Sequence, residues 1–386
     1  MNKRNLILAL FLAMCLLVYT GCSVNQNVQT SDEPTEGEKS ATNTYKIGVM
    51  TMTVSQGEEE YRAAEDLVKE FGEDVIVHRT FPDKASTEQE TTISTMLSLA
   101  ADQDVKAIVA CFAVEGTTAA FEKVREVRPD ILLIAGAPTE DPNILSNAAD
   151  FVVGLDYVGM GHEVAQTAKK MGATTLVHYS FPRHMANPIY LARHDVMKDT
   201  CKELGIEFVE GTSPDPMGEG GLSSTQQFIL EDVPRKIEEY GKETAFFSTN
   251  IGMHEPLIKC IYEGGALFPH PDTPSPFYAY PGALGIEVPA DKAADANYMV
   301  EQISAKLANA GMTGRMGTWL PPMMPLMIKG SVYYAMEHIE GDYTEALDVE
   351  LLNKTLNNLG GNRITIDKYS DALKNYYVIL SETILM

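Results

Sequence analysis

The chain has 386 residues, 54 acidic against 30 basic, for a formal net charge of -24 at pH 7. Single hydrophobic cores stop growing at roughly 250 to 300 residues, so two lobes are expected. The acidity argues against nucleic acid as a partner, because a phosphate backbone is held by clustered Lys and Arg.

In chain order, MNKRNLILALFLAMCLLVYTGCS places Lys3 and Arg4 ahead of an apolar run over residues 6–19. That run is too short and wrongly flanked for an ordinary membrane span, and it reads as an export signal over residues 1–21. Its end, VYTGC, resembles a bacterial lipobox in which Cys22 is lipidated and becomes the mature N-terminus, with Tyr19 where leucine is usual. Several acyl chains on Cys22 hold a protein stably on a membrane, so the expectation is an extracytoplasmic, lipid-anchored protein. Losing Lys3, Arg4 and no acid moves the formal charge to -26. Residues 22–44, rich in Ser, Thr, Asn, Gln, Glu and Gly, have little to bury and read as a flexible tether.

From residue 45, apolar strands alternate with amphipathic helices. YKIGVMT reads as a buried strand, and GEEEYRAAEDLVKEF as the helix after it, with Tyr61, Ala64, Leu67, Val68 and Phe71 on one face. VIVHRTF, KAIVACF, ILLIAGA and FVVGLD are further strands, with helices over 87–101 and 117–127. After Asp156 a second series alternates helix 158–171, TTLVHY, helix 189–204, IEFVEG, helix 224–240, TAFFST and helix 254–263. Such alternation predicts parallel sheets covered by helices on both faces, here two doubly wound α/β lobes. The tail is predicted helical over 345–357 and 368–385.

This order of elements resembles the type I periplasmic binding protein fold, shared by sugar-binding lipoproteins and the effector domains of lac-repressor-like regulators. FVVGLDYVGMGHEVAQTAKKMGA is similar to that family's first crossing between lobes, TAFFSTN to its strand ending in a ligand-contacting asparagine, here Asn250, and GTWLPPMMPLMIKGSVYYAMEHIEG to its late hinge strand. HYSFPRHM, PDPMGEGG and QQFILEDVP also resemble an uncharacterised family of clostridial-type lipoproteins. The resemblance implies a first lobe of residues 45–155 plus about 284–315 and a second of 156–283 plus about 316–341. Residues 342–386 are left as a C-terminal helical extension. A repressor is disfavoured, since signal and tether occupy the place of a DNA-binding helix-turn-helix.

Catalytic and metal motifs fail on inspection. HExxH is absent, because His162-Glu163 is followed by Gln166 and His254-Glu255 by Ile258. GMGHEV lacks the third glycine of a dinucleotide fingerprint, so Gly159 and Gly161 are read as letting the chain bend at the crossover. Ser180 lies near His178 and His184 but outside any GxSxG. Cys111, Cys201 and Cys260 form no CxxC pair and read as buried and inert. No cofactor, metal or catalytic residue is therefore expected, with a hydrolase or metalloprotein kept as a rival.

Ligands of open α/β sheets bind beyond the carboxyl ends of the strands. The sequence places Thr53 and Gln56 after the first strand, Phe112 and Glu115 after the third, and Thr139 after the fourth. The second lobe supplies Tyr179, Ser180, Arg183 and His184, then Asp215, Asn250 and His254. The resemblance adds Arg193, as a ligand contact or as a tie between helix and lobe, and Asp156 as a hinge residue or a contact. Where sugar-binding relatives carry an Asp-Arg pair, this chain has Ala137-Pro138, with Tyr280 near a later carboxylate position and Trp319 at a glutamine-like one. These departures favour a flatter, less hydroxylated ligand: a nucleoside, nucleobase, modified sugar or aromatic metabolite. Trp319 and Met323 to Met327 read equally as hinge packing. The function these features imply is a substrate-binding lipoprotein serving an ABC-type permease, with a ligand-sensing lipoprotein as the alternative.

Overall fold

A computed structural model describes residues 45–85, 87–341 and 343–386. The export signal, Cys22 and the tether lie outside the described residues.

The first lobe opens with β1 (Lys46–Thr51), α1 (Glu58–Phe71), β2 (Ile76–Thr80), α2 (Gln89–Ala100), β3 (Val105–Cys111), α3 (Thr117–Val127), β4 (Leu132–Gly136), α4 (Pro142–Ala148) and β5 (Phe151–Leu155). The strands pair in parallel in the order β2-β1-β3-β4-β5. Their apolar runs follow from this: β4 and β5 are buried at every position because helices cover both faces.

The second lobe comprises α5 (Tyr157–Lys170), β6 (Thr175–Ser180), α6 (Pro182–Met185), α7 (Pro188–Leu204), β7 (Glu207–Thr212), α8 (Gly221–Tyr240), β8 (Thr244–Ser248) and α9 (His254–Gly264). Its parallel sheet runs β7-β6-β8 and is continued by bridges from Ala245 to Leu267 and from Phe268 to Met316. Next come α10 (Tyr280–Leu284), α11 (Ala296–Asn309), β9 (Gly317–Thr318), α12 (Met323–Glu340), α13 (Val349–Gly360), β10 (Ile364–Ser370), β11 (Leu373–Ser381) and β12 (Ile384–Leu385).

This late part departs from expectation in three ways. Residues 284–315 belong with the second lobe, since Met299, Ile303 and Leu307 of α11 pack with Val177, Phe246 and Ile258. Residues 323–381 belong with the first, since α12 packs on α1, β3 and β4 and β11 pairs with β5. Apolar periodicity marks a helix as buried but does not say which sheet covers it. The tail over 368–385 is strand rather than helix: β11 pairs in parallel with β5, and β10 pairs antiparallel with β11. Its run Tyr376-Tyr377-Val378-Ile379 is buried, and aromatic and β-branched residues of this kind suit a covered sheet.

The chain therefore crosses between lobes at Asp156, at Trp319–Pro322 with a cis Leu320–Pro321 peptide, and at Ser381–Ile384, where β12 pairs with β9. The crossings are tied together. The Asp156 N–H donates to the Ile379 carbonyl at 3.0 Å. Glu163 of α5 accepts from Thr383 N–H at 3.3 Å and from Thr167 at 2.7 Å, and pairs with buried His270 at 2.7 Å.

Candidate functional site

A cavity of about 740 Å³ lies at the carboxyl ends of β3, β4 and β5, with residues of the second lobe on its far side. This is the volume of sites that enclose small organic ligands, roughly 300 to 1,000 Å³. β3 and β4 end in non-glycine residues held in left-handed backbone, Phe112 at φ 63° and Ala137 at φ 44°. Such geometry persists only where neighbours over-determine it. Here Ala113 N–H donates to Gly136 O, Ala137 N–H to Val153 O, and Thr139 N–H to Ala113 O, all within 3.1 Å.

Three helices begin at this cavity, and each is closed by an acid that lines it. Glu140 accepts from the Gly116 and Thr118 N–H groups of α3, both at 2.8 Å. Asp141 accepts from Asn143 N–H of α4 at 2.8 Å, and Asp156 from Gly159 N–H of α5 at 2.7 Å. Each cap satisfies donors that a helix leaves open, and its charge offsets the positive end of the helix.

Tyr157, Ile189, Thr273 and Met323 form the far wall. The outer wall is the C-terminal hairpin, where Tyr369 stacks on Tyr376 with centroids 4.5 Å apart. Behind Tyr157 lies Arg193, with no exposed surface, paired with Asp272 and held 5.1 to 5.5 Å from the rings of Tyr157, Tyr190 and Phe247. Its Nε and Nη2 have no partner. His254 Nε2 accepts from Asp272 N–H at 3.2 Å. Burial pulls the His254 pKa down to about 4, so the ring is neutral and able to accept.

A separate cavity of about 420 Å³ lies at the start of α1, where Glu59 lines it with Arg62, Phe277, Lys329 and Arg363. Ser275, two residues past Thr273 of the larger cavity, donates to Glu59. Burial pushes the Glu59 pKa up to about 8 and raises that of Glu60. One oxygen of Glu59 and both of Glu60 are buried without a partner.

Of the sequence-predicted site residues, Phe112 lines the cavity, as do Thr139 and Asp156. Arg193 and His254 sit one layer behind it. The others go elsewhere. Thr53 bonds Asp83 and Ser55 at 2.5 and 2.9 Å, and Gln56 and Glu115 face solvent. Tyr179 is core and donates to Asp232 at 2.8 Å, and Tyr280 is core and donates to the Gly317 carbonyl at 2.7 Å. Ser180 and His184 both meet Thr249, at 2.9 and 3.1 Å. Arg183 turns outward to Asp215, at 2.8 and 2.9 Å. Asn250 caps the turn Ile251–Met253 through Gly252 N–H. Trp319 is fully buried at the second crossing, 6.1 Å from the His270 ring, with its Nε1 unpartnered.

HYSFPRHM therefore does not wall the cavity. His178 packs between Phe208 and Phe247, whereas His184 packs on Phe181 and Tyr190, so the two histidines lie in different ring clusters. Among the described residues, no three His, Cys, Asp or Glu side chains are grouped to hold a metal. Cys111, Cys201 and Cys260 are buried and unbridged, with thiol pKa values raised by burial, to about 12 for Cys201 and about 11 for Cys260. Sequence reasoning missed Tyr157, Tyr369, Tyr376, Asp272, Glu59 and Glu60. The wrong helix over the tail hid two of the tyrosines, and the other four carried no motif.

Two parallel-sheet lobes linked by three crossings, with the cavity beyond the strand ends between them, define the type I periplasmic binding protein fold. The chain belongs to the family described as "Protein of unknown function (DUF3798)", whose profile matches residues 45–317. Two proteins of Treponema pallidum (strain Nichols), each described as "Uncharacterized protein", are both 39% identical to it, over 191 and 188 residues. Those matches span 50% and 47% of this chain and 87% and 85% of theirs. Among solved structures, a candidate transcriptional regulator from Clostridium difficile 630 superposes with a TM-score of 0.83 at 26% identity, covering 89% of this chain and 99% of that one. The substrate-binding protein of a sugar ABC transport system from Bordetella parapertussis 12822 reaches 0.50 at 9% identity, covering 89% and 88%, a likeness of fold.

Proposed function

We propose that this protein is an extracytoplasmic substrate-binding lipoprotein, anchored through Cys22, that closes its two lobes on a small organic ligand and delivers it to an ABC-type permease. The observation that carries this reading is the cavity of about 740 Å³ at the strand ends, walled by both lobes and lined by rings and capping acids. Such a chamber suits capture and release by hinge motion, and it asks for no bond to be made or broken. The lipobox-like VYTGC supports the location, and no helix among the described residues is long and apolar enough to cross a membrane.

A second reading has a specific observation behind it. The 0.83 likeness is to a protein named as a candidate regulator, so closure could serve sensing, with the closed form shown to a membrane receptor. Co-purification with a permease or with a receptor separates the two.

The ligand-binding reading is tested by mass spectrometry of compounds released on denaturing the purified protein, followed by titration of whatever is found. A single compound that rebinds saturably, and at least about tenfold more weakly to Tyr376→Ala, is expected from the loss of one stacked ring. An empty protein that binds nothing from a broad metabolite library would sink the proposal.

A further inference from the structure

We infer that the separate cavity of about 420 Å³ at the start of α1 is a second binding site, for a small carboxylate on an apolar body. Its size falls within the roughly 300 to 1,000 Å³ of sites that enclose small ligands. Its walls come from both sides of the second crossing. Arg62 of α1, Lys329 of α12 and Arg363, just after α13, belong to the first lobe, whereas Phe277 and residues 293–297 belong to the second. Residues 320–322 of the crossing itself lie between them.

The cations at this cavity lack acceptors. Arg363 is in no ion pair among the described residues: its Nη2 donates to the Leu320 carbonyl at 2.6 Å, and its Nε is buried without a partner. Arg62 Nε is likewise buried and unpartnered, while its Nη2 reaches only the exposed Glu58, at 3.3 Å. Lys329 stands 3.6 Å from Asp66, beyond hydrogen-bond distance, and Asp66 already accepts from Lys69 at 3.1 Å. The other acid of the wall, Asp295, is taken by Lys292 at 2.8 Å and by the Tyr298 N–H at 3.0 Å. Glu59, its pKa raised by burial to about 8, holds a proton at neutral pH and does not repel an anion. Buried donors are almost always satisfied, so two guanidinium Nε groups without acceptors on one cavity mark the place of an acceptor from outside the chain. A carboxylate matches a guanidinium in shape, and such charge-assisted bonds are the strong ones. The side chains of Phe277, Pro321, Pro325, Leu326 and Leu359 complete the wall without donors and suit an apolar body. A ligand so placed touches both lobes beside a crossing, which links its binding to their movement.

The test is calorimetric titration of the purified protein with benzoate and phenylacetate, with their neutral amides, with benzylamine and with inorganic phosphate. One of the carboxylates is expected to bind saturably, one per chain, and at least about tenfold more tightly than its amide, benzylamine or phosphate. The double variant Arg62→Met/Lys329→Met keeps the apolar stems and removes both charges. It is expected to lose at least about tenfold in carboxylate affinity while retaining its thermal transition. Arg363→Lys keeps the charge and removes the planar fork, so it is expected to weaken binding about threefold or more, and it decides the matter if the double variant does not fold. Tyr376→Ala, in the larger cavity, is expected to leave carboxylate affinity unchanged. Carboxylates that do not bind, an amide, amine or phosphate that binds as tightly, affinity untouched by the charge variants, or affinity lost in Tyr376→Ala each overturn the inference. The two cavities share no lining residue, so every one of those results leaves the reading of the larger one standing.

Discussion

Glu59 shows how a single buried residue can report on its surroundings. Buried at the first turn of α1, beside Glu58 and Glu60 and facing Ser275 and Tyr278 of the loop before α10, it has a pKa raised by burial from its ordinary value to about 8. A carboxyl group with a raised folded pKa stabilises the fold fully below its unfolded value, and that contribution is lost as pH rises toward about 8. The slope is about 1.4 kcal/mol per pH unit within that window. Denaturant midpoints at pH 5, 7 and 9 should therefore fall more steeply for the native chain than for Glu59→Gln, and equal slopes would remove the buried-acid account. Arg193 makes the complementary case. Replacing Asp272 by asparagine keeps the shape but leaves a fully buried guanidinium uncompensated, which costs about 3 to 5 kcal/mol. Arg193 was named in the sequence through the resemblance to sugar-binding proteins, near the start of a helix after a marked loop, but its partner was not, since nothing in PHPDTPSP says which residue turns inward.

At the scale of elements, the helix pair α5 and α7 sets the far wall. An added Cβ at Gly161 would come within 2.3 Å of the Arg193 carbonyl oxygen. The sequence reading gave Gly161 a role in bending the crossover. The structure shows instead that it lets two helix backbones approach, so that α5 presents Tyr157 and α7 holds Arg193 behind it. Gly161→Ala should force the helices apart, at about 1 to 3 kcal/mol, and displace Tyr157 from the cavity. Equilibrium unfolding checks the first effect and ligand titration the second; an alanine variant as stable and as tight-binding as the native chain would refute the packing argument. The long helices and buried strands up to α9 were legible, because period and apolar runs are local properties, whereas the short helices α4 and α6 were too brief to show a period. The second-lobe loops were not, because Tyr179, at the end of its strand, could face either the cavity or the core, and only packing decided it.

At the scale of the whole molecule, lobe membership after residue 264 escaped the sequence because it depends on contacts between distant segments. The C-terminal strands illustrate this. β11 completes the first sheet beside β5, after which the chain crosses back and β12 pairs with β9 in the second lobe. Met386 is buried in that lobe's core, its N–H donating to the Met316 carbonyl at 2.8 Å and its carbonyl accepting from Gly314 N–H at 2.5 Å. Removing residues 384–386 would empty this pocket and leave Gly317 and Thr318 without their partners. Loss of a buried methionine costs about 2 to 5 kcal/mol, and here the damage should stay on one side of the crossings. Hydrogen exchange is expected to quicken at residues 312–318 and along the neighbouring strand β8, while β1, β3 and β4 keep their protection. If exchange instead quickens evenly through both sheets, the two lobes unfold as one cooperative unit, and a hinge working between independently stable halves is the wrong description of this molecule.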